Sequence, residues 1–216
     1  MLCTCCFDQD LAANLARHAG TSASVVEAAE AAQRQPPPLP FNTVELLKAA
    51  SRQLRLSPHQ TMRHAEHLYL DGFLSYPRTE TNKFPPSFDV EGALRQQAGD
   101  DRWGAYARRL LDDGAWSRPR RGTDAGDHPP ITPTAPFDGG GPAGRLYELV
   151  ARRFLAAVSP DALRRAQRVA LRDRATGEAF TFSREVLLEP GFLEVLQTRR
   201  DDEREGCSLV AALPAA

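Results

Sequence analysis

The sequence contains no uninterrupted apolar run of the length a membrane-spanning helix needs. Its first residues place Asp8 and Asp10 where a secretory leader would carry a basic stretch followed by an apolar core, which argues against a signal peptide. Cysteine is sparse: Cys3, Cys5 and Cys6 crowd one end and Cys207 stands near the other. Cys-Thr-Cys-Cys lacks the paired C-x-x-C spacing of a zinc site, and no neighbouring His completes one. Free thiols in a reducing compartment are therefore expected, and no metal ligand is assigned. A dominant charge is missing too. With 27 Lys and Arg against 28 Asp and Glu the net charge is −1, so the overall balance does not announce a polyanion binder. What remains, 216 residues of which 42% are hydrophobic and 25% charged, has room for one or two domains with a real core.

Locally the charge is uneven. From Arg145 to Arg174 the chain carries Arg145, Arg152, Arg153, Arg164, Arg165, Arg168, Arg172 and Arg174 against Glu148, Asp161 and Asp173. Such a segment can line a phosphate groove, although a solvated helix face is the commoner use of a charge run.

The stretch Ser75–Asn82 is richer in chemistry. Pro77 pushes Tyr76 towards an extended or turn conformation. In an extended segment residues two apart face the same side, which places the Tyr76 phenol with the Arg78 guanidinium. A phenol is a nucleophile, and a planar guanidinium grips phosphate with a fork of N–H donors. Thr79, Thr81 and Asn82 add short hydrogen-bonding groups. A turn whose tyrosine fills a core and whose arginine is a solvated charge is the competing reading, and for so short a motif it would be preferred on its own.

The surrounding pattern is mainly helical. Residues 1–40 are weakly patterned, with a short helix expected over Phe7–His18. Ser24–Glu27 reads as a strand, or as a helix if the following alanines decide. Pro36–Pro40 marks a linker, with a polyproline ligand as the less favoured use. Asn42 opens a helix, with Glu45 three residues on in the capping-box position, and Val44, Leu47, Ala50 and Leu54 form its expected apolar face. Ser57-Pro58 starts the next helix, with Met62, Ala65, Leu68 and Tyr69 as its stripe, and Asp71-Gly72 ends it. Phe73–Ser75 is then an extended exit that delivers Tyr76. Two helices, a turn and a strand suggest a helix-turn-helix or winged-helix unit. Trp103, Tyr106, Ala107, Leu110 and Leu111 repeat at helical spacing up to Gly114, and Leu146, Val150, Phe154 and Ala157 do so up to Ser159-Pro160. The Pro- and Gly-rich loop between them, Arg118–Pro142, is long enough to be functional.

A brief helix is expected at 160–165. Antiparallel strands should follow, in the alternation of Val169, Leu171 and Asp173, in Phe180 and Phe182, and in Phe192–Leu196, with turns at Ala175–Gly177 and Pro190-Gly191. The mixed-charge tail from Arg199 is expected to be disordered. The fold class is α+β, mainly α. Its expected divisions are residues 1–40, a helical domain 41–159, strands 160–197 and a tail 198–216.

The run from Leu68 to Pro85, through Gly72-Phe73-Leu74-Ser75-Tyr76-Pro77-Arg78-Thr79-Glu80-Thr81-Asn82, resembles the active-site tyrosine motif of type IA DNA topoisomerases, and most resembles the topoisomerase III class. Asp124-Ala125-Gly126-Asp127-His128-Pro129-Pro130-Ile131-Thr132-Pro133-Thr134 resembles the same class, and its beta-type eukaryotic members in particular. With gaps the resemblance runs from about Phe7 to Leu196. It implies a helical tyrosine domain inserted into the strands of a β-rich arch. It also implies attack by Tyr76 on a backbone phosphate of single-stranded DNA, giving a 5′-phosphotyrosine and a free 3′-hydroxyl, with resealing that needs no nucleotide cofactor. A free phenol has a pKa of ~10, so the nucleophile needs help. Arg78 is the first candidate to supply it and His128 the second. Thr79, Thr81, Lys83 and Asp127 are candidate nucleic-acid contacts, and Glu80 either orients Arg78 or is solvated. The resemblance further implies Mg²⁺, held by an acidic Toprim domain for which residues 1–40 offer no strand followed by Asp-x-Asp. Weak or no cleavage is therefore expected from these residues alone. Other implied features are RNA as a further substrate class, a scaffold-protein partner, a monomeric state, no membrane association and a nuclear location. Two further readings stand beside this one: a catalytically inactive single-strand-binding remnant of the family, and a helical interaction domain with no nucleic-acid role.

Overall fold

The computed structural model describes residues 22–196, with the exception of Glu178. The helix expected over Phe7–His18, the cysteines Cys3, Cys5, Cys6 and Cys207, and the charged tail from Arg199 lie outside the described residues. The chain divides into two compact units. One takes its described residues from the segment ending at Pro36 and from Asp161–Gly191; the other takes its described residues from Pro37–Pro160 and from residues 192–196.

The first unit is an antiparallel sheet of three long strands in the order β1 (Ala23–Gln35), β2 (Ala162–Asp173), β3 (Ala179–Glu189). Its register sets Val25 beside Leu171 and Leu171 beside Phe180, with Ala28, Val169 and Phe182 in the next row. The strand reading of Ser24–Glu27 is the right one, and the alanines beyond it stay extended because each has a partner on β2. The helix expected at 160–165 does not form. Leu163, Arg164 and Arg165 instead lie opposite Arg34, Gln33 and Ala32. Cross-strand pairing outweighs the helical preference of so short a piece, since one turn of helix is costly to nucleate alone. The turn at Ala175–Gly177 forms as expected. Asp173 accepts from the Ala175 and Thr176 N–H groups, and Gly177 takes φ 74°.

The second unit is helical: α1 (Thr43–Leu54), α2 (Pro58–Leu70), α3 (Val90–Gln97), α4 (Gly104–Asp112), α5 (Gly141–Ala157) and the single turn α6 (Leu193–Leu196). Its axis is α5, against which α1, α2 and α6 pack, while α3 packs on α4. Leu146, Tyr147, Val150, Phe154 and Leu155 of α5 are fully buried, as the spacing of its apolar residues predicts. Trp103, Tyr147 and Gln97 form a buried polar cluster: the Trp103 indole donates to Gln97 at 3.1 Å and the Tyr147 hydroxyl donates to the Ala135 carbonyl at 2.6 Å.

Other expectations need correction. The buried face of α1 is Leu46, Ala49 and Ala50; Val44 is exposed, because the start of α1 is fixed by its contacts with residues 77–80, described below. Asn42 caps α1 by accepting from the Glu45 N–H, but the Glu45 carboxylate pairs with Lys48 instead of returning to the cap. The reciprocal capping box forms one helix later, between Ser57 and Gln60. Helix α3, capped by Asp89, has no counterpart in the sequence reading. Phe192–Leu196 is not a strand: the Phe192 N–H donates to the Pro160 carbonyl, Phe192 and Val195 are buried, and Glu194 pairs with Arg109. The Val195 carbonyl accepts from Arg152, so the partners of this segment beyond Pro160 are helical residues and not a strand.

The arginines between Arg145 and Arg174 are divided between the two units, so no single helix face carries them. Arg152 pairs with Glu148, Arg153 donates to the Leu39 carbonyl, Arg164 pairs with Glu185 and Arg165 with Glu30. Among the described residues no helix is long and apolar enough to cross a membrane. The class is α+β.

Candidate active site

The segment that follows α2 is fastened on both sides. Gly72 adopts φ 82°, and the Phe73 and Leu74 N–H groups both turn back to the Leu68 carbonyl, which reverses the chain sharply. Residues 73–75 then pair with residues 132–134: the Ser75 N–H donates to the Thr132 carbonyl and the Thr134 N–H to the Phe73 carbonyl, both at 2.9 Å. The Ser75 hydroxyl accepts from the Thr132 N–H at 2.9 Å. On the other side stands the start of α1. The Thr43 hydroxyl donates to the Pro77 carbonyl at 2.8 Å and accepts from the Thr79 N–H at 2.9 Å, while the Thr43 N–H donates to the Thr79 carbonyl at 3.0 Å. Asn42 adds a bond from its amide to the Glu80 carbonyl at 3.3 Å. Sequence reasoning identified Asn42 as a cap and missed Thr43, whose one signal was a hydroxyl residue just inside the helix start.

Asp127 organises the next stretch. Its Oδ1 accepts from the Thr81 hydroxyl at 2.5 Å and lies 3.0 Å from the Thr79 hydroxyl; its Oδ2 accepts from the Glu80 N–H at 2.8 Å. The Thr79 hydroxyl has one proton to give and a second acceptor nearer, the His128 carbonyl at 2.6 Å. Hydrogen bonds from Thr81, from the Glu80 backbone and from Thr79 all favour the carboxylate form and hold the Asp127 pKa at about 2. Thr79 and Thr81 are only 4% and 1% exposed, so their hydroxyls face protein partners. Beyond them the Asn82 side chain accepts from the Thr123 N–H at 2.7 Å, and the Asn82 N–H donates back to the Thr123 carbonyl. Gly122 makes this crossing feasible: it has φ 113°, and a Cβ there would sit 2.7 Å from the Asn82 carbonyl oxygen.

Tyr76 is half-buried, its ring edge-on between His128 (centroids 4.6 Å apart) and Tyr69 (5.2 Å). Tyr69 is thus not part of the α2 core stripe; it is 40% exposed and faces the nucleophile candidate. Arg78 donates to Glu66 on α2 through Nε at 2.9 Å and through Nη2. Glu80, considered above as the group that orients Arg78, is exposed and contributes its backbone to Asp127 instead. Glu66 escaped the sequence reading because it lies 12 residues from Arg78 on a helix face judged by its apolar members. The fold therefore gathers Tyr76, His128, Thr79, Thr81 and Asp127, ties Arg78 in through Glu66, and leaves Lys83 exposed at the end of the segment.

Among the described residues no group of three or more His, Cys, Asp or Glu side chains is placed to hold a metal ion. Both Asp127 oxygens are already engaged by protein donors. A Mg²⁺ ion does not fit this arrangement, and no step is derived through one.

A family model described as DNA topoisomerase matches residues 4–214. The chain is 47% identical to human DNA topoisomerase 3-beta-1 over 162 residues, covering 74% of this chain and 18% of the relative. It is 41% identical to Arabidopsis thaliana DNA topoisomerase 3-beta over 189 residues, covering 86% of this chain and 22% of the relative. Against Drosophila melanogaster DNA topoisomerase 3-alpha the identity is 43% over 160 residues, 73% of this chain and 12% of that one. The chain thus spans about a fifth or less of the length of these relatives. Full-length topoisomerase I from Thermotoga maritima superposes with a TM-score of 0.67 at 21% identity, over 90% of this chain and 32% of that structure, a likeness of fold.

Proposed function

This chain belongs to the DNA topoisomerase family, in the topoisomerase III class of its type IA enzymes, and from that membership we propose that Tyr76 is the nucleophile of a reversible strand break in single-stranded DNA. The Tyr76 hydroxyl oxygen attacks a backbone phosphorus, the bond from phosphorus to the 3′-oxygen breaks, and the phenolic proton is balanced by the proton the 3′-oxygen gains. The product is a 5′-phosphotyrosine and a 3′-hydroxyl. Because one ester replaces another, reversal needs no nucleotide. Arg78 stabilises charge on the non-bridging phosphate oxygens, and His128, against the Tyr76 ring, supplies a second polar group beside them. In this reading Asp127, Thr79 and Thr81 hold the backbone on which Tyr76 and Arg78 are mounted, and Lys83 is an outlying phosphate contact.

One observation carries the proposal: the Tyr76 ring is packed between His128 and Tyr69 on a segment whose neighbours are hydrogen-bonded from both sides. Such restraint suits an in-line attack, where misplacement by an ångström is costly. Mg²⁺ use is consistent with the family, and we assign the ion to no described residue. We extend the same premise to a helix-turn-helix-like α1–α2 pair, to a helical domain, expected at 41–159, inserted between the strand β1 and the strands β2 and β3, and to a nuclear, monomeric protein with a scaffold partner and RNA as a further substrate. Pairing of β1 with β2 across the helical sequence supports the insertion.

In an enzyme carrying these residues in full-length context, Tyr76→Phe should abolish the covalent adduct trapped on a labelled single-stranded oligonucleotide. An adduct that persists in the variant rules Tyr76 out.

A further inference from the structure

We propose that Glu66 is the positioning residue of this site, holding one edge of the Arg78 guanidinium so that the other edge is presented to a backbone phosphate. The inference rests on the reading of Tyr76 and Arg78 given above and goes beyond it in assigning a role to α2.

A guanidinium carries five N–H bonds in a plane, arranged as a side edge and an end edge. Glu66 Oε1 accepts from both Nε and Nη2 of Arg78, which occupies the side edge. The N–H bonds of the end edge point away from that carboxylate. Two parallel N–H bonds are what a phosphate accepts. The pair is too open to matter much for folding: the side chains are 59% and 41% exposed, and an exposed ion pair contributes little to stability. Direction is the property it fixes. Glu66 also sits on a regular helix, so it fixes that direction relative to a rigid element. Three residues on, Tyr69 shares its helix face and packs against the Tyr76 ring. One turn of α2 therefore touches both side chains assigned to the chemistry, and through different interactions.

Positioning and competition make opposite predictions. If Glu66 merely withheld Arg78 from phosphate, removing it would tighten binding; if it aims Arg78, removing it weakens binding. The test uses the 216-residue chain and a fluorescein-labelled single-stranded oligodeoxynucleotide, with anisotropy read over a range of salt concentrations. Arg78→Ala should weaken binding by about fivefold to tenfold, the size of one ordinary net hydrogen bond. It should also lower the slope of log affinity against log salt by about 0.7, the value for one phosphate contact on a single strand. Glu66→Ala should reproduce both changes although it removes a negative charge, and the double variant should be no weaker than Arg78→Ala alone. Glu66→Gln keeps an acceptor at the same place and should bind close to the unaltered chain.

Tighter binding by Glu66→Ala, or a loss that adds to that of Arg78→Ala, overturns the inference and leaves the site reading intact. Indifference of binding to Arg78→Ala overturns the site reading itself. A second measurement needs no oligonucleotide. The Arg78 Nε–H resonance should be protected from exchange in the unaltered chain and in Glu66→Gln, and lost in Glu66→Ala. A resonance that Glu66→Ala leaves unchanged shows that Glu66 does not orient Arg78.

Discussion

At the scale of single residues, the carboxylate of Asp127 does more than its exposure suggests. It accepts from the Thr81 hydroxyl and the Glu80 N–H, and Thr79 lies within reach, so protonating it weakens several bonds at once. Its pKa falls from an ordinary 3.8 to about 2 in the folded chain. Between those values the unfolded chain binds the proton and the native chain does not, so stability rises with pH through that window. The contribution of Asp127 is fully present above about pH 4 and is lost as pH falls towards 2. Acid unfolding of the unaltered chain should therefore steepen between pH 4 and pH 2. Asp127→Asn should remove that part of the pH dependence, as followed by circular dichroism at fixed urea. Thr79 and Thr81 show why residue chemistry was only partly legible: their hydroxyls were read as contacts for a substrate because short polar side chains beside a nucleophile invite that reading. Burial turned them to the protein, and burial is not written in a local motif.

At the scale of elements, the start of α1 is tied to the tyrosine segment by the Thr43 hydroxyl, with the Thr43 N–H and the Asn42 amide beside it. Thr43→Val keeps the volume and deletes that hydroxyl, leaving the Thr79 N–H without its acceptor. A buried donor left unpaired costs about 1–3 kcal/mol. Urea denaturation should show a loss of that order, and the full-length enzyme should lose adduct formation beyond what its stability change explains. Helices α2 and α5 were legible in the sequence, α2 by its ends at Ser57-Pro58 and Gly72 and α5 by the spacing of Leu146, Val150 and Phe154. α1 was legible as a helix but not in its rotation, since Thr43 and residues 77–80 decide which face turns inward. Phe192–Leu196 shows the limit from the other side: an apolar, β-prone run becomes a turn of helix when its available neighbours are Pro160, Arg109 and Arg152.

At the scale of the whole chain, the two compact units are expected to answer separately to damage. Phe154 is 1% exposed in the core of the helical unit and meets Phe84 edge to face at 6.0 Å. Phe154→Ala should destabilise that unit by about 3–5 kcal/mol. Amide exchange should speed up across the helices of Pro37–Pro160 and remain unchanged in β1, β2 and β3; uniform acceleration would mean the chain unfolds as one body. The family was legible because two motifs lie in order along the chain, whereas the pairing of β1 with β2 was not, since it joins segments more than a hundred residues apart.

The fastening of residues 72–82 to Thr43 on one side and to residues 122–134 on the other also bears on how the site comes into being. Each contact closes a loop of roughly thirty to sixty residues, so the entropy of closure opposes its early formation, while α2 and α5 form from neighbours along the chain. The reactive geometry is thus a late product of folding. A synthetic peptide of residues 72–82 would contain the phenol, the guanidinium and every hydroxyl of the segment, and none of the order that makes them a site.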